Sequence, residues 1–359
     1  MIVSEQHREN LIKIAKKFER KSQSFPQDDN GEPTEAYLEY ISMMFSLEVA
    51  EIVKDLEVFP KTTSLFKLAK MLNRDRNDIE KILEEPSSRF FITKASKYYA
   101  LPTPLFIYDA PFVLKKNYDS EEVKQFAKLS KHFFEKDKYY KRWETSRKGT
   151  PRMRILPVQE ELEPETTILP VEEVYSVIDK FDNFALIPCP CRKRTEVIGI
   201  RKCKDKYPIL NCILMGRMAQ MMNLIEDPVN RQVSKEEVIE NVKKSAELGL
   251  VLATDNHASN TVILCSCCEC CCGMLRGICE FDNPRAIAKS NFVAQVDKDA
   301  CIGCETCLSR CKFGAIIVDT TAEIDSQKCM GCGLCAVTCP EKALSMKRLD
   351  REEIPGLEA

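Results

Sequence analysis

The stretch CSCCECCCG, Cys265 to Gly273, sets six cysteines within eight residues. Consecutive Cα atoms lie about 3.8 Å apart and adjacent side chains diverge, so six such thiols cannot all grip one small ion. Something larger, or more than one thing, must be held. Two further runs, CIGCETCLSRCKFGAI (301–316) and CMGCGLCAVTCPEKAL (329–344), each read CxxCxxCxxxC and repeat at an offset of 28 residues. Upstream lie Cys189 and Cys191 in IPCPCRKR, then Cys203 and Cys212; Cys279 follows the crowded stretch. The chain has 19 cysteines, none of them before Cys189. The opening MIVSEQHREN is charged and polar, and no run approaches the ~18 apolar residues of a membrane span, so a cytoplasmic protein is expected. Cytosolic thiols are kept reduced, and no disulfide framework explains this crowding; thiolate-bound metal does.

The doubled run resembles the bacterial ferredoxin module that carries two 4Fe-4S clusters. The likeness covers about 55 residues, roughly 291–348. It implies that three cysteines of each run wrap one cluster while the fourth reaches the other. Carried over, Cys301, Cys304, Cys307 and Cys339 hold one cluster, and Cys329, Cys332, Cys335 and Cys311 hold the second. Gly303, Gly331 and Gly333 permit tight loops that turn backbone N–H groups toward cluster sulfur. The second run keeps the Cys-Pro of the family at Pro340, whereas the first has Lys312, a positive charge expected to raise the adjacent potential.

Eleven cysteines remain upstream. Cys189, Cys191, Cys203 and Cys212 suffice for one four-thiolate site, with iron-sulfur favoured over zinc because the neighbouring module already commits the chain to electron transfer. If 265–272 stays extended, Cys265, Cys267 and Cys271 point one way and Cys268, Cys270 and Cys272 the other, which suits two sites better than one. One or two further clusters are expected, zinc being the alternative.

Elements must position these thiols. VEEVYSVIDKF reads as a helix, NFALIP as a buried strand running into Cys189, and ILMGRMAQMMNLI as a Met-rich helix starting just after Cys212. SKEEVIENVKKSAELG carries a capping box, Ser234 and Glu237, and a terminal Gly249. LVLAT and TVILC are strands flanking DNHASN. An α/β layer is expected over 171–290, following a Pro/Glu-rich linker, ILPVQEELEPETTILP, that ends a basic helical segment (113–170).

The cysteine-free half begins with an amphipathic helix within 1–32. A unit over 33–112 then orders helix, helix, turn, helix and two short strands, the pattern of a helix-turn-helix with a wing. Its third helix carries Asp75, Asp78, Glu80, Glu84 and Glu85 against Arg76 and Lys81, which disfavours DNA and favours protein docking. Tyr139, Tyr140 and Trp143 interleave with Lys138, Lys141 and Arg142; this reads as a packed aromatic edge on a solvated helix, with base stacking or an acidic partner as alternatives. Lys plus Arg (53) nearly balance Asp plus Glu (55), so no global field recruits nucleic acid or membrane.

Over residues 35–345 the pattern CxCR, two spaced cysteines, a GLV strand and CxCCxCCCG ahead of the repeat resembles a group of winged-helix, ferredoxin-type iron-sulfur proteins of anaerobic bacteria and archaea. A His expected soon after the GLV strand is displaced to His257, which reads as a loop residue. The expected fold is α+β and multi-domain: winged helix, central α/β Cys-rich domain, C-terminal ferredoxin-like domain and a tail (349–359). The expected function is an electron-transfer subunit relaying low-potential electrons to or from a partner oxidoreductase within a larger complex. A redox-responsive regulator and a small-molecule reductase working at an upstream cluster are the alternatives. No GxGxxG or Walker pattern appears, so flavin or nicotinamide chemistry belongs to another subunit.

Overall fold

The computed structural model describes residues 2–19, 24–114, 120–143, 149–158, 172–223, 227–257 and 261–349. The linker from 159 to 170 and the tail from 350 lie outside these. The chain divides into two compact units, one of residues 1–148 and 193–200, the other of 149–192 and 201–359.

The first unit is mostly helical. Ser4 caps α1 (Glu5–Lys17) by accepting from the His7 N–H at 3.1 Å, and the helix buries His7, Leu11, Ile14 and Ala15 on one face. It packs on α3 (Leu47–Val53), which follows α2 (Glu35–Ser42). Next come β1 (Thr63–Ser64), α4 (Leu65–Leu72), α5 (Arg76–Ile82), α6 (Glu84–Ser88) and the hairpin β2 (Thr93–Ala95) and β3 (Tyr98–Ala100). Ser64 caps α4, left-handed Asn73 ends it, and Asp75 caps α5, so local residues set the turn between the helices. Leu65, Leu68, Ile79 and Leu83 are buried, the three strands form an antiparallel sheet ordered β1-β3-β2, and α7 (Pro104–Asp109), α8 (Glu121–Glu135) and α9 (Tyr140–Trp143) follow. Tyr139 is buried, its hydroxyl donating to the Ser24 carbonyl at 2.8 Å and its ring meeting Tyr108 and Phe133. That ring is packing, unavailable for stacking on a base; the Trp143 side chain lies outside the described residues.

The second unit is built on a six-stranded sheet ordered β4-β8-β9-β6-β5-β7. In chain order its elements are β4 (Met153–Ile155), α10 (Val174–Asp179), β5 (Phe184–Pro188), the first residues of α11 (Pro190–Val197), whose remainder belongs to the first unit, β6 (Leu210–Met215), α12 (Gly216–Asn223), β7 (Arg231–Val233), α13 (Lys235–Leu248), β8 (Val251–Asp255), β9 (Ile263–Cys267) and α14 (Gly273–Cys279). Every pairing in the sheet is antiparallel. The alternation of helix and strand predicts an α/β layer; the pairing corrects this, because β8 and β9 join as a short hairpin and β5 lies beside β6 in reverse sense. ILM of the expected Met-rich helix is also corrected. Ile213 and Met215 are buried in the central strand β6, and only from Gly216, at φ 60°, does α12 begin. The capping box at Ser234 and Glu237 and left-handed Gly249 bound α13 as expected.

Period two sorts the sheet into faces. Phe184, Leu186, Ile213, Met215, Leu252 and Leu264 form the apolar core with Val174, Val177 and Ile178 of α10 and Val238 and Val242 of α13. The intervening positions on β6 and β9, Cys212, Cys265 and Cys267, therefore face the other side. The ferredoxin-like segment adds β10 (Phe292–Val296), α15 (Thr306–Arg310), β11 (Ile316–Val318), β12 (Ala322–Ile324), α16 (Leu334–Val337) and β13 (Leu344–Arg348), with β10 paired to β13 and β11 to β12.

Candidate metal centres

Each of the repeated C-terminal runs contributes to a pair of hollows. Cys301, Cys304, Cys307 and Cys339 line the first; Cys311, Cys329, Cys332 and Cys335 line the second. The repeat extends to hydrogen bonds: Ala315 N–H donates to Cys311 Sγ and Ala343 N–H to Cys339 Sγ, each at 3.3 Å, while Ala322 N–H reaches Cys301 Sγ at 3.4 Å. Gly303, at φ 67°, brings its loop so near that an added Cβ would meet the Thr320 carbonyl at 2.5 Å. Burial pushes the Cys332 thiol up to about 12 and raises that of Cys335, whereas the Thr306 hydroxyl holds exposed Cys304 down. Thiolate ligation requires the deprotonated sulfur, so metal binding at these raised thiols would release protons and weaken as the pH falls. Four thiols around one hollow, with amides turned on the sulfurs, fit a 4Fe-4S core, which needs one terminal thiolate per iron.

Residues 294–346 match the 4Fe-4S dicluster domain family. No curated protein and no solved structure matches the chain. The dicluster domain thus accounts for eight of the cysteines and leaves the upstream ones to geometry.

Upstream, the crowded stretch is extended only as far as Cys267, where β9 ends; a turn follows and α14 begins at Gly273. The alternation expected over 265–272 is therefore broken after Cys267. Cys268, Cys270 and Cys271 gather in the turn with Cys203, all four sulfurs lying within 4.8 Å of one another. Cys203 Sγ stands 3.9 Å from Cys268 Sγ and 3.7 Å from Cys271 Sγ, and Cys270 Sγ is 3.7 Å from Cys271 Sγ. A tetrahedral ion with metal–sulfur bonds of about 2.3 Å holds its sulfurs about 3.8 Å apart. This knot has the dimensions for one such ion, iron or zinc.

Cys203 is thus not grouped with Cys189, Cys191 and Cys212, as linear order had it. The 203–209 loop passes over the turn, and Tyr207 and Leu250 pack against Cys203, Cys268 and Cys271. Cys189, Cys191, Cys212, Cys265, Cys267 and Cys272 form a second gathering, whose Cys191 also packs against the cluster around Cys203, Cys268 and Cys271. His257 sits in the turn after β8, within electrostatic reach of Asp255.

Between the two gatherings lies Arg192, wholly buried, a residue that cysteine spacing could not single out. Its guanidinium donates to the Pro208 carbonyl at 2.7 Å and the Ser266 carbonyl at 2.5 Å. Burial opposes its charge, but Cys189, Cys268 and Cys212 attract it and the balance is upward. Cys268 is held far below the usual thiol range by contacts from Cys203, Cys270 and Cys271, with Arg192 adding to the effect; Cys189 is lowered by Cys191 and Cys212, again with Arg192 contributing. Each gathering's lowered thiol is among those that interact with this cation.

The knot also adjoins the dicluster domain. Lys312 Nζ pairs with Glu269 Oε1 at 3.1 Å, next to Cys270, and Cys279 Sγ donates to the Lys312 carbonyl at 3.3 Å. Glu269 offsets the added charge of Lys312, which reduces the rise in potential expected from Lys312 alone. Arg310 Nη2 donates to the Ala246 and Glu247 carbonyls at the end of α13, at 3.2 and 2.6 Å, and Val158 N–H donates to the Cys332 carbonyl at 3.1 Å.

Proposed function

We propose that the protein is an iron-sulfur electron-transfer subunit, cytoplasmic and working in an anaerobe, that relays low-potential electrons between a donor and a partner oxidoreductase. The observation that carries this reading is the succession of thiol sets within one unit: the quartet around Cys301, the quartet around Cys329, then the Cys203 knot reached through Lys312 and Glu269. Clusters bound in the two quartets would supply reversible one-electron chemistry. The chain keeps the second quartet more enclosed, with Cys335 buried and Cys332 half-buried, and leaves Cys304 exposed at the first. Ile302, 65 % exposed, lines the hollow of the first quartet and gives it the apolar edge a redox partner needs for close approach. Electrons would therefore enter or leave at the Cys301 quartet.

The test is cycling. Anaerobically prepared full chain, mixed with reduced methyl viologen and then with a dye of higher potential, is expected to accept about one electron per 4Fe-4S cluster and return it over repeated cycles. Clusters that cannot be reduced by the viologen, or that decompose in the first cycle, would sink the relay.

The helix order and β2–β3 hairpin of the first unit support reading it as a winged helix, and its chemistry supports a protein partner over DNA. Glu80 of α5 pairs with Lys94 at 3.1 Å and Lys97 at 2.9 Å, engaging both lysines of the hairpin. Phe66, Met71 and Tyr98 are exposed on the same module, a composition poor for phosphate and suited to a protein surface. Random duplex DNA at physiological salt is expected to bind no tighter than about 10⁻⁴ M, the weak end of non-specific association. A salt-sensitive footprint at a defined sequence would instead establish the regulator.

A further inference from the structure

Six upstream thiols take no part in the knot, and they close on themselves. Cys189 interacts electrostatically with Cys191 and Cys212, Cys191 also with Cys272, and Cys212 also with Cys265. Cys267 completes the circuit by interacting with Cys265 on one side and Cys272 on the other. The backbone explains the ring. Cys212 and Cys265 are direct cross-strand partners on β6 and β9, and Cys267 is the next residue on the same face. Cys189 is anchored beside β6 by its N–H bond to the Ile209 carbonyl at 2.7 Å, Cys191 follows in the first turn of α11, and Cys272 precedes α14. Five of the six are under 9 % exposed.

We propose that these six thiols, of Cys189, Cys191, Cys212, Cys265, Cys267 and Cys272, hold a polynuclear iron-sulfur cluster of their own, separate from the knot and from both ferredoxin quartets. Size decides the class of ligand. Among the described residues only the Cys203 quartet brings three or more ligand atoms within 4.8 Å of one another, so no three ring thiols do. A single tetrahedral ion needs its sulfurs about 3.8 Å apart, and two zinc ions sharing six thiolates need two such tetrahedra fused on common sulfurs. The ring is too open for either. Strand geometry sets the Cα atoms of same-face neighbours about 6.6 Å apart along β9, so their thiols leave the strand side by side instead of from one point. An iron-sulfur core is bridged internally by sulfide and carries its thiolates around its perimeter, as the ring presents them. Six thiolates also exceed the four that a cubane takes, which places the cluster outside the type held at 301–339. Buried Arg192, facing Cys189 and Cys212, offsets part of the negative charge such a core would bring into the fold.

The inference is independent of the relay, and acid-labile sulfide separates it from the knot, since a lone thiolate-bound ion carries none. In the full chain prepared anaerobically, iron and sulfide should both exceed the dicluster share of about eight by about four or more. Replacing Cys265 and Cys267 by Ser should return sulfide to about the dicluster share, while the electron paramagnetic resonance of the reduced 4Fe-4S clusters stays unchanged and reports that the chain is folded. Sulfide already at the dicluster share in the unsubstituted chain overturns the proposal, as does zinc in place of the additional iron. If the double variant loses the dicluster signals as well, the sulfide count of the unsubstituted chain decides.

Discussion

Replacing Cys339 by alanine will remove the cluster gripped by Cys301, Cys304 and Cys307 and spare the one beside Cys329, although Cys339 lies in the second run. Cys339 lines the hollow of the first quartet, and Cys311 that of the second, because each run's short helix, α15 or α16, carries its last cysteine across to the other hollow. Loss of one terminal thiolate leaves an iron without its ligand, so about four of the module's roughly eight irons should be lost or converted to a three-iron form. Cys311→Ala should give the reciprocal loss. Because Cys304 is exposed whereas Cys335 is buried and Cys332 half-buried, the two variants should leave clusters of different accessibility, the survivor of Cys339→Ala being slower to react with a water-soluble oxidant. Low-temperature spectra showing that Cys339→Ala alters only the Cys329 cluster would make the crossed arrangement wrong.

Arg192→Met is expected to weaken metal retention at the upstream thiols by about 10- to 100-fold, the usual effect of losing an outer partner of metal ligands. Methionine preserves much of the volume but neither the charge nor the two bonds to the Pro208 and Ser266 carbonyls. Those carbonyls would be left without this donor in a buried place, and the thiolates near Cys189 and Cys268 without their shared cation. Removing one partner of a buried charge pair costs about 3–5 kcal/mol. Arg192→Lys should recover some of the retention through its charge, but less of the stability, since an ammonium cannot reproduce the planar two-pronged donation. Competition with a chelator under anaerobic conditions measures the effect. Retention equal to that of the unsubstituted chain would mean that Arg192 serves only to pack the 203–209 loop.

The elements most legible in the sequence are those whose cause is local. Ser234, Glu237 and Gly249 bound α13 because a capping box and a left-handed terminus are decided within a few residues. The extended run of NFALIP, buried as β5, and the two strands around DNHASN are equally readable from their β-branched and apolar content. ILMGRM is not, because a short apolar run is compatible with helix or buried strand; pairing with both β5 and β9 makes its first residues the centre of the sheet.

The cysteines divide the same way. By itself, the sequence determined that this chain is a thiolate metal protein and that its C-terminal runs have the spacing of a dicluster domain, since that motif is compact and repeats at a fixed offset. Only the tertiary structure decided how the upstream thiols associate. Cys203 joins Cys268, Cys270 and Cys271, and Cys212 joins Cys265, across separations in sequence that no local propensity spans. The register of β6 on β9 turns Cys212, Cys265 and Cys267 to one face, and the turn that ends β9 folds the next cysteines into a different site. A slip of β9 by one residue would turn Cys265 and Cys267 toward the apolar core and part them from Cys212. The burial of Ile213 and Leu264 on the opposite face therefore keeps them together.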